Sequence, residues 1–138
     1  MLFKPYLAEA ILQGKKTQTR RLEKPTHNVV FNAGRIISVY SNIRTHTHQS
    51  NRLLWKVGNI YAIQPGRGKK AIGYFRLFAI YHEPLQQITE TDARAEGIDY
   101  TNPIESFAKL WNTINTTPGI QWKDNPQVFV LTLELVTK

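Results

Sequence analysis

Apolar residues recur at helical spacing in one short stretch near the start of the chain. Leu7, Ala8, Ile11 and Leu12 make one stripe over residues 5–13. Pro5 suits a first helical position, and Gly14 suits the left-handed residue that ends a helix. Residues 17–21 then read as a strand, with Thr17, Thr19 and Arg21 on one face and Gln18 and Arg20 on the other. Residues 1–3 are a candidate edge strand. Residues 22–34 carry Pro25, Asn28, Asn32 and Gly34 and are expected to form a loop. The β-branched run at 35–40 predicts a strand, and the polar stretch at 41–52 predicts irregular structure.

Val57-Gly58-Asn59 predicts a turn into a strand at 60–64, followed by a tight loop through Pro65, Gly66 and Gly68. Residues 71–81 form a long β-branched and aromatic run that Pro84 ends, with Gly73 as a bulge or close-approach point. Residues 88–97 predict a short helix with Thr89 or Thr91 as N-cap, Glu90 and Asp92 in its first turn, and Gly97 closing it. In residues 103–115, Ile104, Phe107, Ala108, Trp111 and Ile114 follow helical spacing, which puts Phe107 and Trp111 in the core. A loop at 116–126 and a closing strand at 128–136 complete the chain. The helices do not alternate one-for-one with the strands, which argues against a parallel α/β sheet. The expected fold is α+β, mainly β: a small antiparallel-rich β-barrel with short flanking helices, forming a single domain over residues 1–138.

Composition sharpens this picture in two ways. A chain of 138 residues with 41% hydrophobic residues, no Cys and no long apolar run is expected to be a folded domain without disulfides or a membrane span. The first residues are too polar for a secretory leader, and a cytoplasmic location is expected. The net charge of +8 is also uneven. Residues 1–70 hold 13 Lys and Arg against 2 Glu, whereas residues 71–138 hold 5 against 8 acidic residues. A surface of that kind attracts polyanions, nucleic acid or a nucleotide first among them. It is equally what solubility alone requires.

The densest chemistry lies in Gly14-Lys15-Lys16-Thr17-Gln18-Thr19-Arg20-Arg21, with four cations, two hydroxyls and no carboxylate. A helix end, a glycine turn and a basic strand suit an anion. The segment imitates the end of a phosphate-binding P-loop, but Glu9 stands where that motif needs its first glycine. Arg67 and Lys69 decorate the second glycine loop, whose amides suit an oxyanion as well as they suit a solvated hairpin tip. His46 and His48 lack a third ligand at recognisable spacing, so no metal and no cofactor are expected.

Four pieces of the chain resemble the ASCH domain, a branch of the PUA-like superfamily. They are residues 3–21 with Gly14-Lys15-Lys16-Thr17 and Thr19-Arg20; Val57-Gly58-Asn59; Ile88-Thr89-Glu90 leading to Ala95-Glu96-Gly97-Ile98; and Phe107-Ala108-Lys109-Leu110-Trp111 with Asn125-Pro126 and the last strand. The resemblance implies a PUA-like barrel with a cleft beside the first helix, and RNA or modified nucleosides as ligands. Members similar to N4-acetylcytidine amidohydrolases, and one reported as a ribonuclease, imply hydrolysis as the alternative. In the amidohydrolase branch a Lys, a Thr three residues later and a Glu form the catalytic set, and Lys16, Thr19 and Glu96 hold those positions here. That branch is shorter, lacking the segment at 41–52 and the helix with Trp111, and its Gly-Asp turn is Gly58-Asn59 here.

The residue chemistry is consistent with either activity. A Lys takes a Thr proton only if burial or a neighbouring cation lowers its pKa, and a carboxylate can pass that proton to a leaving amine. The same residues suit binding without turnover, with a cation on a phosphate and Glu96 accepting from a base amine. They equally suit a plain Lys16–Glu96 anchor between strand and helix. Lys15, Thr17, Arg20, Arg21, Arg67 and Lys69 are the expected nucleic-acid contacts on one basic face, with RNA, a nucleoside or a nucleotide as partner and no membrane.

Overall fold

The computed structural model describes residues 1–98 and 101–137. It contains helices α1 (Pro5–Leu12), α2 (Glu90–Ala95) and α3 (Pro103–Ile114). Its strands are β1 (Gln18–Leu22), β2 (His27–Asn32), β3 (Arg35–Arg44), β4 (Gln49–Lys56), β5 (Ile60–Ile63), β6 (Gly73–Pro84) and β7 (Gln127–Val136). All strand pairs are antiparallel, in the order β1-β7-β6-β3-β2, with β4 added to β3 and β5 to β6.

The sheet is open, which corrects the expected barrel. Its end strands, β1 and β2, pair with β7 and β3 and not with each other. The sheet also forks. β6 gives one edge to β7 along its length and shares the other between β5 and, at the single pair Ile36↔Ile80, β3. From Ser38 onward β3 turns that edge to β4 instead.

Two stretches expected to be irregular are strands. Residues 22–34 contain β2, which joins β3 through a tight turn with Ala33 and Gly34 at φ of 52° and 76°. A hairpin turn with two positive φ values matches the strand twist, so the two hydrophilic Asn positions do not prevent pairing. Residues 41–52 form the end of β3 and the first half of β4, closed where Thr45 N–H donates to His48 O. Both faces of this hairpin arm are largely exposed, so no alternation marks it in the sequence.

Residues 1–3, expected as an edge strand, form only an isolated bridge at Leu2, and β6 starts two residues later and runs three residues further than expected. The other elements fall within two residues of expectation, and the described residues include no helix long and apolar enough to cross a membrane. β7 is buried on both faces, which explains its continuous hydrophobic run. Phe129, Leu131 and Leu133 enter a main core with Leu7 and Ile11 of α1 and with Phe75 and Leu77. Val128 and Val130 face the other way, onto Ala93, Phe107 and Trp111. That second core holds α2 and α3 against one end of the sheet. Trp111 Nε1–H donates to Ile120 O at 2.7 Å, so the indole is buried with its polar atom satisfied.

Candidate functional site

The chain reverses between α1 and β1 at Gly14, whose φ of 76° suits glycine. The N–H groups of Lys15 and Lys16 both fold back onto Ala10 O, at 2.9 and 3.1 Å. Lys16 then forms an isolated antiparallel bridge with Glu96, and Thr17 N–H donates to Ala95 O at 2.7 Å. The C-terminal end of α2 is thereby fastened to the entry of β1. Gly97 permits this approach. Its φ is +90°, and a Cβ there would lie 2.9 Å from Lys16 Cβ and 3.3 Å from Ala10 Cβ.

At this junction five charged side chains, Lys16, Arg20, Glu83, Asp92 and Glu96, meet from distant parts of the sequence. Lys16 Nζ donates to Gln18 O at 2.6 Å, to Glu96 O at 3.2 Å and to Glu96 Oε1 at 3.2 Å. Glu96 Oε2 accepts from Arg20 at 2.9 Å. The Arg20 guanidinium, fully enclosed, also reaches Gln18 Oε1 at 3.0 Å, Glu83 Oε1 at 3.1 Å and Asp92 Oδ2 at 3.4 Å. Gln18 Nε2 closes the network on Asp92 Oδ1 at 3.2 Å. Charges taken out of water must be paired, and here each cation has a carboxylate partner.

Beside this network lies a cavity of about 430 Å³. Lys16, Thr19, Arg20, Arg21 and Glu96 form its polar side, and Phe3, Leu7, Phe107, Leu110, Trp111 and Ile114 form its apolar side. Because β1 is an edge strand, side chains from both of its faces reach the cavity, so strict alternation does not separate Lys16 from Thr19. Arg21 stands 5.1 Å over the Phe3 ring and donates to Leu2 O at 2.8 Å. Arg20 stands 6.0 Å over the Phe107 ring. The Nε atoms of Arg20 and Arg21 are buried without a hydrogen-bond partner among the described residues.

Burial holds the Lys16 ammonium below the usual lysine range, with Arg21 and Arg20 pushing the same way and Glu96 opposing them. Burial likewise lowers Arg21, again against the pull of Glu96. Burial raises the Tyr81 phenol, and the neighbouring Asp92 carboxylate adds to the rise.

Of the residues singled out from the sequence, Lys16, Thr19, Arg20, Arg21 and Glu96 converge on this cavity. Lys15, Thr17, Arg67 and Lys69 are exposed and stand outside its lining. Arg20 is enclosed among carboxylates and so is not part of an exposed basic face. Sequence reasoning missed Gln18, Glu83 and Asp92 as partners of Arg20, and Leu110 as a wall. No local signal marks them, since Glu83 and Asp92 lie more than sixty residues from Arg20.

No family model and no curated protein matches the sequence. Solved structures do match in three dimensions. A DUF984 family-model protein from Enterococcus faecalis aligns at a TM-score of 0.58 and 17% identity, over 94% of this chain and 69% of that one. An ASCH domain from Lactobacillus crispatus aligns at 0.54 and 15%, over 94% and 69%. An ASCH protein from Zymomonas mobilis aligns at 0.54 and 16%, over 97% of this chain and 64% of that one. Almost all of this chain is therefore matched, and it spans about two thirds of the length of these neighbours. At such identities the likeness is one of fold.

Proposed function

From the premise that this chain has an ASCH-domain fold, we propose that the cavity binds a nucleoside with a modified base, free or carried on RNA. The observation that supports this is the division of the cavity into a charged side and an aromatic side. A volume of about 430 Å³ suits a small molecule. The apolar wall from α3 covers the face of a planar base. Glu96 keeps acceptor capacity beyond its two cation contacts, since a carboxylate has about four lone-pair sites, and takes an exocyclic amine or amide N–H. Thr19 supplies a hydroxyl, and the Lys16 charge, whose three N–H groups are spent within the protein, favours a base carbonyl nearby without bonding to it.

A second reading, hydrolysis of an N4-acylated cytidine, is favoured by the lowered pKa of Lys16 beside Thr19 and Glu96. At rest Lys16 donates to three acceptors, so it is a cation and must first pass a proton to Glu96 Oε1, 3.2 Å away, to become a base; Glu96 then holds the proton that the leaving nitrogen receives. Neutral Lys16 then takes the Thr19 hydroxyl proton as the oxygen attacks the acyl carbon. The bond to N4 breaks, the leaving nitrogen is protonated by way of Glu96, and water hydrolyses the Thr19 ester to free acid and hydroxyl.

Calorimetric titration with N4-acetylcytidine and cytidine tests the binding reading, and chromatographic measurement of released acetate tests turnover. Binding of the neutral nucleoside is expected to change little with salt. Thr19→Val keeps the side-chain shape and removes only the hydroxyl, so it is expected to weaken binding by about tenfold at most while lowering turnover by more than about a thousandfold. Binding without acetate release removes the hydrolytic reading. Absence of binding by either nucleoside retires the cavity as a nucleoside site.

A further inference from the structure

Between Glu23 and Glu83 the chain contains no Asp or Glu and nine Lys and Arg. This acid-free stretch builds β2 through nearly all of β6, the half of the sheet away from α2 and α3. At the fork where β3 leaves β6 for β4 lies a groove of about 610 Å³. Phe31, Arg35, Ile37, Val57, Phe78 and Tyr81 line it.

Two of these side chains are conspicuous in their exposure: Phe31 is 56% exposed and Phe78 62%. Each sits at a register shift. One falls between Val30 and Phe31 against β3, the other between Leu77 and Ala79 against β7, which leaves Phe78 as the extra residue. Bulges re-aim side chains out of the regular pleat, so the irregularities accompany the outward placement of both rings. Arg35 lies in the groove itself. Arg76 is two residues before Phe78, and its guanidinium donates to Gly58 O at 3.1 Å, next to the Val57 wall. Glu134 stands opposite Arg76 on β7, and Glu23 lies 3.5 Å from His82 at the other end of the groove.

We propose that this groove binds a single-stranded polynucleotide, with Phe31 and Phe78 stacking on bases and Arg35 and Arg76 facing phosphates. Exposed aromatic rings between cations on an open sheet supply both halves of such recognition: sequence-tolerant stacking and an electrostatic track. The acid-free stretch gives a charge complementarity to a polyanion that a second copy of this basic chain would lack, and the exposed rings suit stacked bases. The site is separate from the cavity, and the proposal does not depend on the cavity reading.

The test is fluorescence anisotropy of the full chain with a labelled oligouridylate about 12 nucleotides long, titrated across salt concentrations. Wild type is expected to bind with affinity falling steeply as salt rises. Phe31→Ala and Phe78→Ala are each expected to weaken binding about 5- to 150-fold, whereas Phe78→Tyr restores it. Arg35→Ala is expected to lower the salt slope by about 0.7. Both Phe variants should keep the wild-type melting temperature and N4-acetylcytidine response, so a failure here is distinguishable from a failure of the cavity reading. Three results overturn the proposal. One is no binding at low salt. Another is binding that both Phe→Ala variants leave unchanged. The third is a wild-type dimer that Phe78→Ala dissociates without any oligonucleotide response, which assigns the groove to a second copy.

Discussion

Removing Glu96 tests whether the buried network is as tightly paired as its geometry says. Glu96 serves two cations, Lys16 at 3.2 Å and Arg20 at 2.9 Å, and both are almost wholly enclosed. Glu96→Ala leaves Lys16 without its carboxylate and weakens the grip on Arg20, which retains Glu83 and Asp92. Breaking a buried pair by deleting one partner costs about 3–5 kcal/mol. A domain of this size holds roughly 5–15 kcal/mol in all, so the variant folds but is severely weakened. With a urea slope near 2 kcal/mol/M, the unfolding midpoint falls by about 2 M. The control is Glu105→Ala, which removes an exposed i,i+4 partner of Lys109 and costs under about 0.5 kcal/mol. Adding Lys16→Met to Glu96→Ala removes the orphaned ammonium and is expected to recover about 0.5–3 kcal/mol relative to the sum of the single variants. If Glu96→Ala shifts the midpoint no more than Glu105→Ala at unchanged slope, the charges are not buried as described. The magnitude also bears on function: lost activity in Glu96→Ala does not separate catalysis from stability, and Thr19→Val does.

Two further predictions concern the backbone and pH. Gly97→Ala is expected to cost more than Gly119→Ala, because both have φ near +90° but only Gly97 would place a Cβ against Lys16 and Ala10; the strain common to both is about 1–3 kcal/mol, and the difference in urea midpoint reads the contact alone. Burial, then Lys24, holds the His27 pKa below its ordinary 6.5, so as pH falls below that value the unfolded chain takes up the proton first and stability declines; the decline between about pH 7.5 and about pH 5 should be shallower in His27→Gln than in wild type, and equal declines would refute the assignment.

The parts of the fold legible in the sequence were those where burial is periodic. α3 shows its buried stripe through Phe107 and Trp111, and β7 shows burial on both faces as an unbroken apolar run. α2 was legible through its ends, since Thr89 Oγ1 accepts from Asp92 N–H at 3.1 Å as an N-cap should. The β3–β4 arm is not legible, because strands largely exposed on both faces leave no alternation to read; β2 half-buries only His27 and Val29, too few positions to outweigh its Asn residues and the nearby Pro25. The open sheet was not legible either, since it depends on which neighbour β3 takes after Ile36. In the site, Lys16, Thr19 and Glu96 were found through family resemblance. Arg20 reads from the sequence as a surface cation, as most arginines are. Its enclosure depends on Glu83 and Asp92, which only the folded chain brings near.

The fastening of α2 onto β1 has a consequence for solubility. β1 ends the sheet, and a free edge is a template on which another molecule can add a strand. Here the Lys16–Glu96 bridge and the Thr17–Ala95 hydrogen bond occupy the entry of that edge, and the buried ion pairs beyond them make it a poor template. The residues that line the cavity therefore also cover this edge of the sheet. Substitutions that loosen this junction to admit a larger ligand should raise the tendency to aggregate, so the site's chemistry and the protein's colloidal behaviour are not free to change independently.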